Sequence, residues 1–353
     1  MNTQFKLSDI IRPHIRDLVP YSSARDEYTG KEGIFLDANE NPIGSAISSP
    51  FNRYPDPYQQ EIKQLLSPLK GVRPGQIFLG NGSDEAIDLL MRAICRPGID
   101  NIIVMPPTYG MYEVSANIND VHIRKVLLSE DFQIDPEKVL ESVDINTRII
   151  WICSPNNPSG NSIHPASIQA ILDNFTSGIV VVDEAYIDFT SQPSWTKQLD
   201  NNPNLVVIQT FSKAWGLASL RTGMCFASEE IISVLNKIKP PYNIGGPSQL
   251  LLLEALQNPD HVADMVRDIL KQREILSKEI ARLPQVLKVF PSDANFLLIR
   301  FTDARKAMKH LISEKIIVRD RSKVVLCEDC LRITIGTAKE NKALLDSLRK
   351  LAP

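Results

Sequence analysis

A lysine stands at an unusual place in this chain. The segment TFSKAWG at 210–216 follows directly on the apolar run 205–208 (LVVI), so Lys213 falls at the mouth of a buried strand. Loops of open α/β sheets converge beyond the carboxyl ends of their strands. An amine partly withdrawn from water there has a lowered pKa, which suits it to condense with a carbonyl. Eight residues further on lies Arg221, followed by Gly223, and its planar fork of donors matches a phosphate dianion. Taken alone, the segment reads equally well as a solvated lysine and a structural arginine.

Other strand ends carry further groups. Asp183 closes the run 179–182 (IVVV) within the tetrapeptide DEAY. A carboxylate there can pair with a protonated pyridine nitrogen, or simply cap the following turn. The loop SPNNPSG at 154–160 follows the run 148–153 (RIIWIC). Its two X-Pro bonds predict a rigid turn with a cis bond, and Asn157 can donate to a phenolate oxygen or serve the turn itself. Gly82, Ser83 and Asp84, in GNGSDE at 80–85, precede an amphipathic helix. Its N–H groups and dipole make a phosphate site, provided the Asp84 carboxylate turns away; an ordinary N-cap looks the same. Tyr109, in PPTYG at 106–110, can stack on an aromatic ring or cover the core. Together these are the parts that pyridoxal phosphate needs, delivered at successive strand ends of one sheet.

The elements that must position them alternate. Residues 77–79 predict a short strand, 83–95 a helix with Ile87, Leu90, Met91 and Ile94 on one face, and 101–105 the next strand. Strands this apolar on both faces suit a mainly parallel sheet covered by helices, an α/β layered domain. After Lys239 the prolines and glycines of 240–247 read as a hinge. A long helix over 260–283 follows, then short strands at 286–290, 295–300, 316–318 and 331–335, with helices at 304–314 and after Ala338. The expected organisation is an N-terminal arm (1–30), a large domain (31–240) and a small α+β C-terminal domain (241–353), with the arm able to pack on the small domain.

Composition narrows the function classes. The 353 residues are 43% hydrophobic and 23% charged, with net charge −3, which gives no electrostatic reason to expect nucleic acid or an anionic membrane as partner. No signal-peptide core interrupts 1–19 and no apolar run reaches membrane-spanning length, so a cytoplasmic location is expected. Cys95, Cys153 and Cys225 lie in apolar stretches and read as buried thiols. Cys327 and Cys330 form a lone CxxC without a second ligand pair, read as a turn between strands, so no metal is expected.

The chain resembles the fold-type I pyridoxal-phosphate aminotransferases, and more closely the histidinol-phosphate aminotransferases. The resemblance runs through LDANENP (36–42), RYPDP (53–57), PTYGMY (107–112), SPNNPSG, VVDEAYIDF (181–189), FSKAWGLASLRTG (211–223) and LRITIG (331–336). It implies a large domain on a mainly parallel seven-stranded sheet plus a smaller α+β domain. It implies Lys213 as the Schiff-base lysine and proton shuttle, Asp183 on the pyridine nitrogen, Asn157 and Tyr186 on the ring oxygen, and Tyr109 stacked on the ring. The cofactor phosphate falls to the Gly82, Ser83 and Asp84 helix start, Ser212 and Arg221, with Tyr54 reaching in from a second subunit of a homodimer, and Thr210 is a further cofactor-binding residue. Arg332 corresponds to the substrate-carboxylate arginine and Arg319 to a phosphate-gripping one, with Tyr21 and Asn39 near the substrate. The implied reaction converts L-histidinol phosphate and 2-oxoglutarate to imidazole acetol phosphate and L-glutamate in histidine biosynthesis. The alternatives on the same fold are a decarboxylase of the threonine-phosphate type and an aromatic amino-acid aminotransferase. Trp215 and Ser219 depart from the usual Phe and Gly of the lysine loop.

Overall fold

The structure, a computed structural model, describes residues 5–21 and 33–351. Parts of the expected N-terminal arm, 1–4 and 22–30, lie outside the described residues. The apolar runs form a seven-stranded sheet: β1 (Ile77–Asn81), β2 (Asn101–Val104), β3 (His122–Lys125), β4 (Thr147–Cys153), β5 (Ile179–Asp183), β6 (Leu205–Thr210) and β7 (Thr222–Phe226), ordered β1-β7-β6-β5-β4-β2-β3. Neighbours from β6 across to β3 pair in parallel, while β7 runs antiparallel to both β6 and β1. Alternate residues divide between two cores. Ile150, Ile152, Val180, Val182, Leu205 and Val207 face one layer, and Ile149, Trp151, Ile179, Val181, Val206 and Ile208 face the other. Each such side chain, fully buried, contributes about 1.5–3 kcal/mol relative to exposure, which is why 149–153, 179–182 and 205–208 are unbroken apolar runs.

Sequence reading missed β3 and β7. The first is exposed and charged (HIRK), so it lacks the apolar signature of a central strand. The second begins with Thr222 and Gly223, which read as a turn. Its reversed direction has a functional consequence. The start of β7 meets the carboxyl ends of β1 and β6, with Thr222 opposite Asn81 and Gly223 opposite Thr210.

A second, antiparallel sheet holds β8 (Val286–Val289), β9 (Phe296–Phe301), β10 (Arg319–Asp320) and β11 (Cys330–Thr334), in the order β10-β11-β9-β8. The strand expected at 316–318 is displaced. Lys315 takes a left-handed φ of 60° after the helix Ala304–Ser313, and pairing begins only at Arg319. Helix Pro259–Ile280 joins the two units. Val262 and Val266 pack on the first of the two cores, Leu276 and Ile280 belong to a third that includes Leu297, Ile299, Leu331 and Ile333 of the second sheet, and Ile269 touches both.

Two other expectations need correction. The hinge reading ends early, because Gly246 already opens helix Gly246–Leu256, whose Leu252 and Leu256 pack into the first core. The described part of the N-terminal arm does not pack on the small unit. Leu7 and Ile10 enter the core beneath helices Ser83–Ile94 and Glu229–Ile238, Arg12 N–H donates to Ala93 O at 3.0 Å, and Lys237 Nζ donates to Arg16 O at 2.7 Å. All five cysteines are buried and unpaired, and among the described residues no cluster could hold a metal. Cys327 to Cys330 forms a turn closed by Cys330 N–H to Cys327 O at 3.0 Å. No helix among the described residues is long and apolar enough to cross a membrane.

Candidate active site

The carboxyl ends of β4, β5 and β6 open on a cavity of about 790 Å³ that receives residues from both sheets. Asp183, the last residue of β5, is buried beneath its floor. Its Oδ1 accepts from Ala185 N–H at 3.0 Å and its Oδ2 from the Tyr112 hydroxyl at 2.5 Å. Burial pushes its pKa up to about 6, against the pull of those donors. A carboxylate so desolvated calls for a cation. Lys213 stands three residues beyond β6 and opens toward the cavity, with Nζ 5.7 Å from the centroid of the buried Tyr186 ring. Surrounding protein desolvates its amine, and with Arg332 near it the pKa is lowered.

An anion cradle forms at the other side. Gly82 precedes helix Ser83–Ile94, whose first N–H groups have no partner within the helix. Gly82 N–H donates to Arg221 O at 2.7 Å, and Arg221, itself at φ 51°, donates through Nη1 to Ser212 Oγ at 3.5 Å. Thr210 Oγ1 accepts from Ser212 N–H at 3.1 Å and shapes the same loop. The approach is close because two residues lack Cβ. At Gly82, with φ 72°, a Cβ would lie 2.9 Å from Arg221 Nη2; at Gly223 it would lie 2.2 Å from Ser83 N. Asp84, whose side chain is expected to turn away from a phosphate, is among the residues that line the cavity. It accepts from the Tyr109 hydroxyl at 3.1 Å and lies 3.8 Å from Arg221 Nη2, which offsets its repulsion of an anion.

The second sheet supplies arginines. Arg319 on β10 is the register partner of Arg332 on β11, and both guanidinium-bearing residues line the cavity. Arg332 Nη1 donates to Asn157 Oδ1 at 2.5 Å, tying this sheet to the SPNNPSG loop, whose Ser154–Pro155 and Asn157–Pro158 bonds are cis. Arg321 also lines the cavity, and its buried Nε has no hydrogen-bond partner among the described residues. Sequence reading passed over Arg321; its spacing of two from Arg319, which in a strand shares a face, was the available signal. It passed over Tyr112 too, which the periodicity of its helix marks only as core.

The structure thus brings together Gly82, Ser83, Asp84, Tyr109, Asn157, Asp183, Tyr186, Thr210, Ser212, Lys213, Arg221, Arg319 and Arg332. It does not bring Tyr21, Asn39 or Tyr54 to this cavity. Tyr21 is 74% exposed and borders a separate cleft between the N-terminal segment and helix Glu229–Ile238. Asn39 is exposed with a left-handed φ of 53°. Tyr54, 51% exposed, stacks on Tyr242 with ring centroids 4.4 Å apart. An anion cradle, a buried carboxylate awaiting a cation and a desolvated amine in one space fit pyridoxal phosphate.

The sequence model of the family described as aminotransferase class I and II matches residues 27–348. The histidinol-phosphate aminotransferase of Cytophaga hutchinsonii is 58% identical over 345 residues, covering 98% of this chain and 99% of that protein. That of Parabacteroides distasonis is 53% identical, with the same coverage of both chains. Among solved structures, the histidinol-phosphate aminotransferase from Clostridium acetobutylicum superposes with a TM-score of 0.79 at 24% identity, over 85% of this chain and 90% of that one. The chain belongs to the class I and II aminotransferase family.

Proposed function

We propose that the protein is a pyridoxal-phosphate enzyme that moves an amino group between L-histidinol phosphate and 2-oxoglutarate, giving imidazole acetol phosphate and L-glutamate in histidine biosynthesis. The observation that carries the substrate class is the arginine set. Like charges directly opposite on antiparallel strands are destabilising, so Arg319 facing Arg332 beside Arg321 makes sense for a site that receives anions. A phosphate on one substrate and a second carboxylate on the other supply them, each matching a guanidinium fork. The relatives at 58% and 53% identity bear the name of this reaction.

When bound, pyridoxal phosphate supplies the aldehyde and a ring that accepts the electron pair left behind as the substrate loses its Cα proton. The chain's own residues do the rest. Lys213 Nζ, lowered in pKa by burial, offers a deprotonated amine to the carbonyl and afterwards carries the proton to and from substrate Cα. Asp183, ionised, would accept a hydrogen bond from the protonated ring nitrogen and keep it charged. Asn157 and Tyr186 donate to the ring oxygen, and Tyr109 covers one face. Gly82, Ser83 and Asp84 N–H groups, Thr210, Ser212 and Arg221 hold the phosphate. Arg332 takes the substrate carboxylate and Arg319, with Arg321, the substrate phosphate.

Tyr54 belongs in this reading to a second copy's cavity, in a homodimer, and Asn39 and Tyr21 lie near the substrate. Support comes from the exposed apolar residues in the same stretch of sequence as Tyr54, namely Ile34, Leu36, Ile43 and Ile47, since exposed apolar surface of this kind suits an interaction face. We read 31–240 as the cofactor-holding domain and 241–353 as the one that brings the arginines, in a cytoplasmic enzyme. The test is a half-reaction titration of the purified holoenzyme. Histidinol phosphate discharges the bound-cofactor absorbance at far lower concentration than phenylalanine, and imidazole acetol phosphate is released without carbon dioxide. Equal response to phenylalanine favours the aromatic aminotransferase, and carbon dioxide release from threonine phosphate the decarboxylase.

A further inference from the structure

The Tyr112 phenol has no part in the reaction as described, yet it makes a very short contact with the central carboxylate. Tyr112 is fully buried behind the cavity on helix Met111–Ile118. Its ring stacks on Trp151 at 4.8 Å between centroids with a 14° interplanar angle, and meets Tyr109 edge-on at 5.6 Å. The ring therefore cannot swing, and its hydroxyl donates to Asp183 Oδ2 at 2.5 Å while Ala185 N–H holds Oδ1.

We propose that Tyr112 is a positioning residue for pyridoxal phosphate, holding the Asp183 carboxylate ionised and at a fixed rotation so that it can receive the protonated ring nitrogen. This rests on the cofactor reading above. The groups facing Asp183 explain why a phenol suits the place. Lys213 favours its charge and Asp84 opposes it, while Cys153 beside them is kept a neutral thiol by burial. Burial itself drives Asp183 toward the protonated, useless form. A donor to the ionised oxygen counters that drive. A lysine or arginine in its place would do so by neutralising the charge that the ring nitrogen needs. Tyrosine, kept neutral by its own burial, stabilises the anion without discharging it.

The test is a double-mutant cycle on pyridoxal phosphate affinity, read by titrating cofactor-free protein at pH 8. Tyr112→Phe keeps the stack on Trp151 and deletes only the donor, so the affinity falls about 10–100-fold, the worth of a hydrogen bond to a charged group. In an Asp183→Asn background the same change has no effect, because no charge remains to be stabilised. Tyr112→His, which restores an N–H donor, recovers most of the loss and stands in should the Phe variant not fold. A Tyr112→Phe protein that binds as wild type does, or an equal loss in both backgrounds, overturns the inference and reduces Tyr112 to a packing residue. Wild-type protein that binds no pyridoxal phosphate overturns the cofactor reading beneath it.

Discussion

Arg332 and Asn157, 175 residues apart in sequence, meet across the cavity in a hydrogen bond of 2.5 Å from Nη1 to Oδ1. The contact joins the small sheet to the loop after β4. It also fixes the Asn157 amide: with Oδ1 turned to a guanidinium, its N–H donors are the ones left for a bound ring oxygen. On the roles proposed above, one pair therefore links the substrate-carboxylate site to the cofactor site.

Asn157→Ala should loosen both at once. A hydrogen bond to a charged group is worth about 1.5–3 kcal/mol, so pyridoxal phosphate affinity should fall at least about tenfold, and the KM for glutamate should rise with it. Cofactor titration and steady-state kinetics check this. Loss of cofactor affinity with an unchanged KM would separate the two roles and refute the link.

Arg321→Gln probes the arginine that sequence reading passed over. If it grips the substrate phosphate, the KM for histidinol phosphate rises about tenfold or more, the scale of a lost charge-assisted hydrogen bond. Glutamate, which carries no phosphate, is affected far less. Parallel kinetics with the two amino donors decide the matter, and equal effects on both would assign Arg321 to general electrostatics.

Gly223→Ala tests the cradle. The added Cβ would stand 2.2 Å from Ser83 N and 2.4 Å from Gly82 C, both backbone atoms that cannot step aside cheaply. Overpacking of this kind costs about 1–3 kcal/mol. Because the shift displaces the helix start, weaker binding of inorganic phosphate and of pyridoxal phosphate should accompany the lower Tm. A fall in Tm with phosphate affinity intact would place the cradle elsewhere.

The pH dependence of the cofactor-free protein follows from Asp183. Its pKa rises from an unfolded value of 3.8 to about 6 on folding. The stability that its protonated form contributes is fully present below 3.8 and lost as pH rises through 6. Asp183→Asn removes that loss. The Tm of the variant minus that of the wild type, both without cofactor, should therefore climb between pH 4 and 6 and level off above. A flat difference across that window would mean that the carboxylate is solvated.

Most of this site was legible because chemistry and fold coincide in sequence. Lys213, Asp183 and Asn157 each follow a run of apolar β-branched residues, and such runs announce buried strands whose ends must open somewhere. What escaped was whatever depends on geometry between distant segments. The strand Thr222–Phe226 hides behind a Thr-Gly start, so the reason Arg221 reaches Gly82 could not be read. The sequence asks the Asp84 side chain to turn away from a phosphate but does not show the counter-charge of Arg221 or the donor of Tyr109 beside it, since both come from distant segments. Tyr112 looks like any core tyrosine until Asp183, 71 residues away, is placed against it.

Lys213 is the residue on which the proposed chemistry turns. Holoenzyme treated with borohydride and digested should carry the reduced phosphopyridoxyl group on the peptide containing Lys213, with Lys213→Ala protein unlabelled. Labelling on a different lysine at full occupancy, or none in a protein saturated with pyridoxal phosphate, would contradict it.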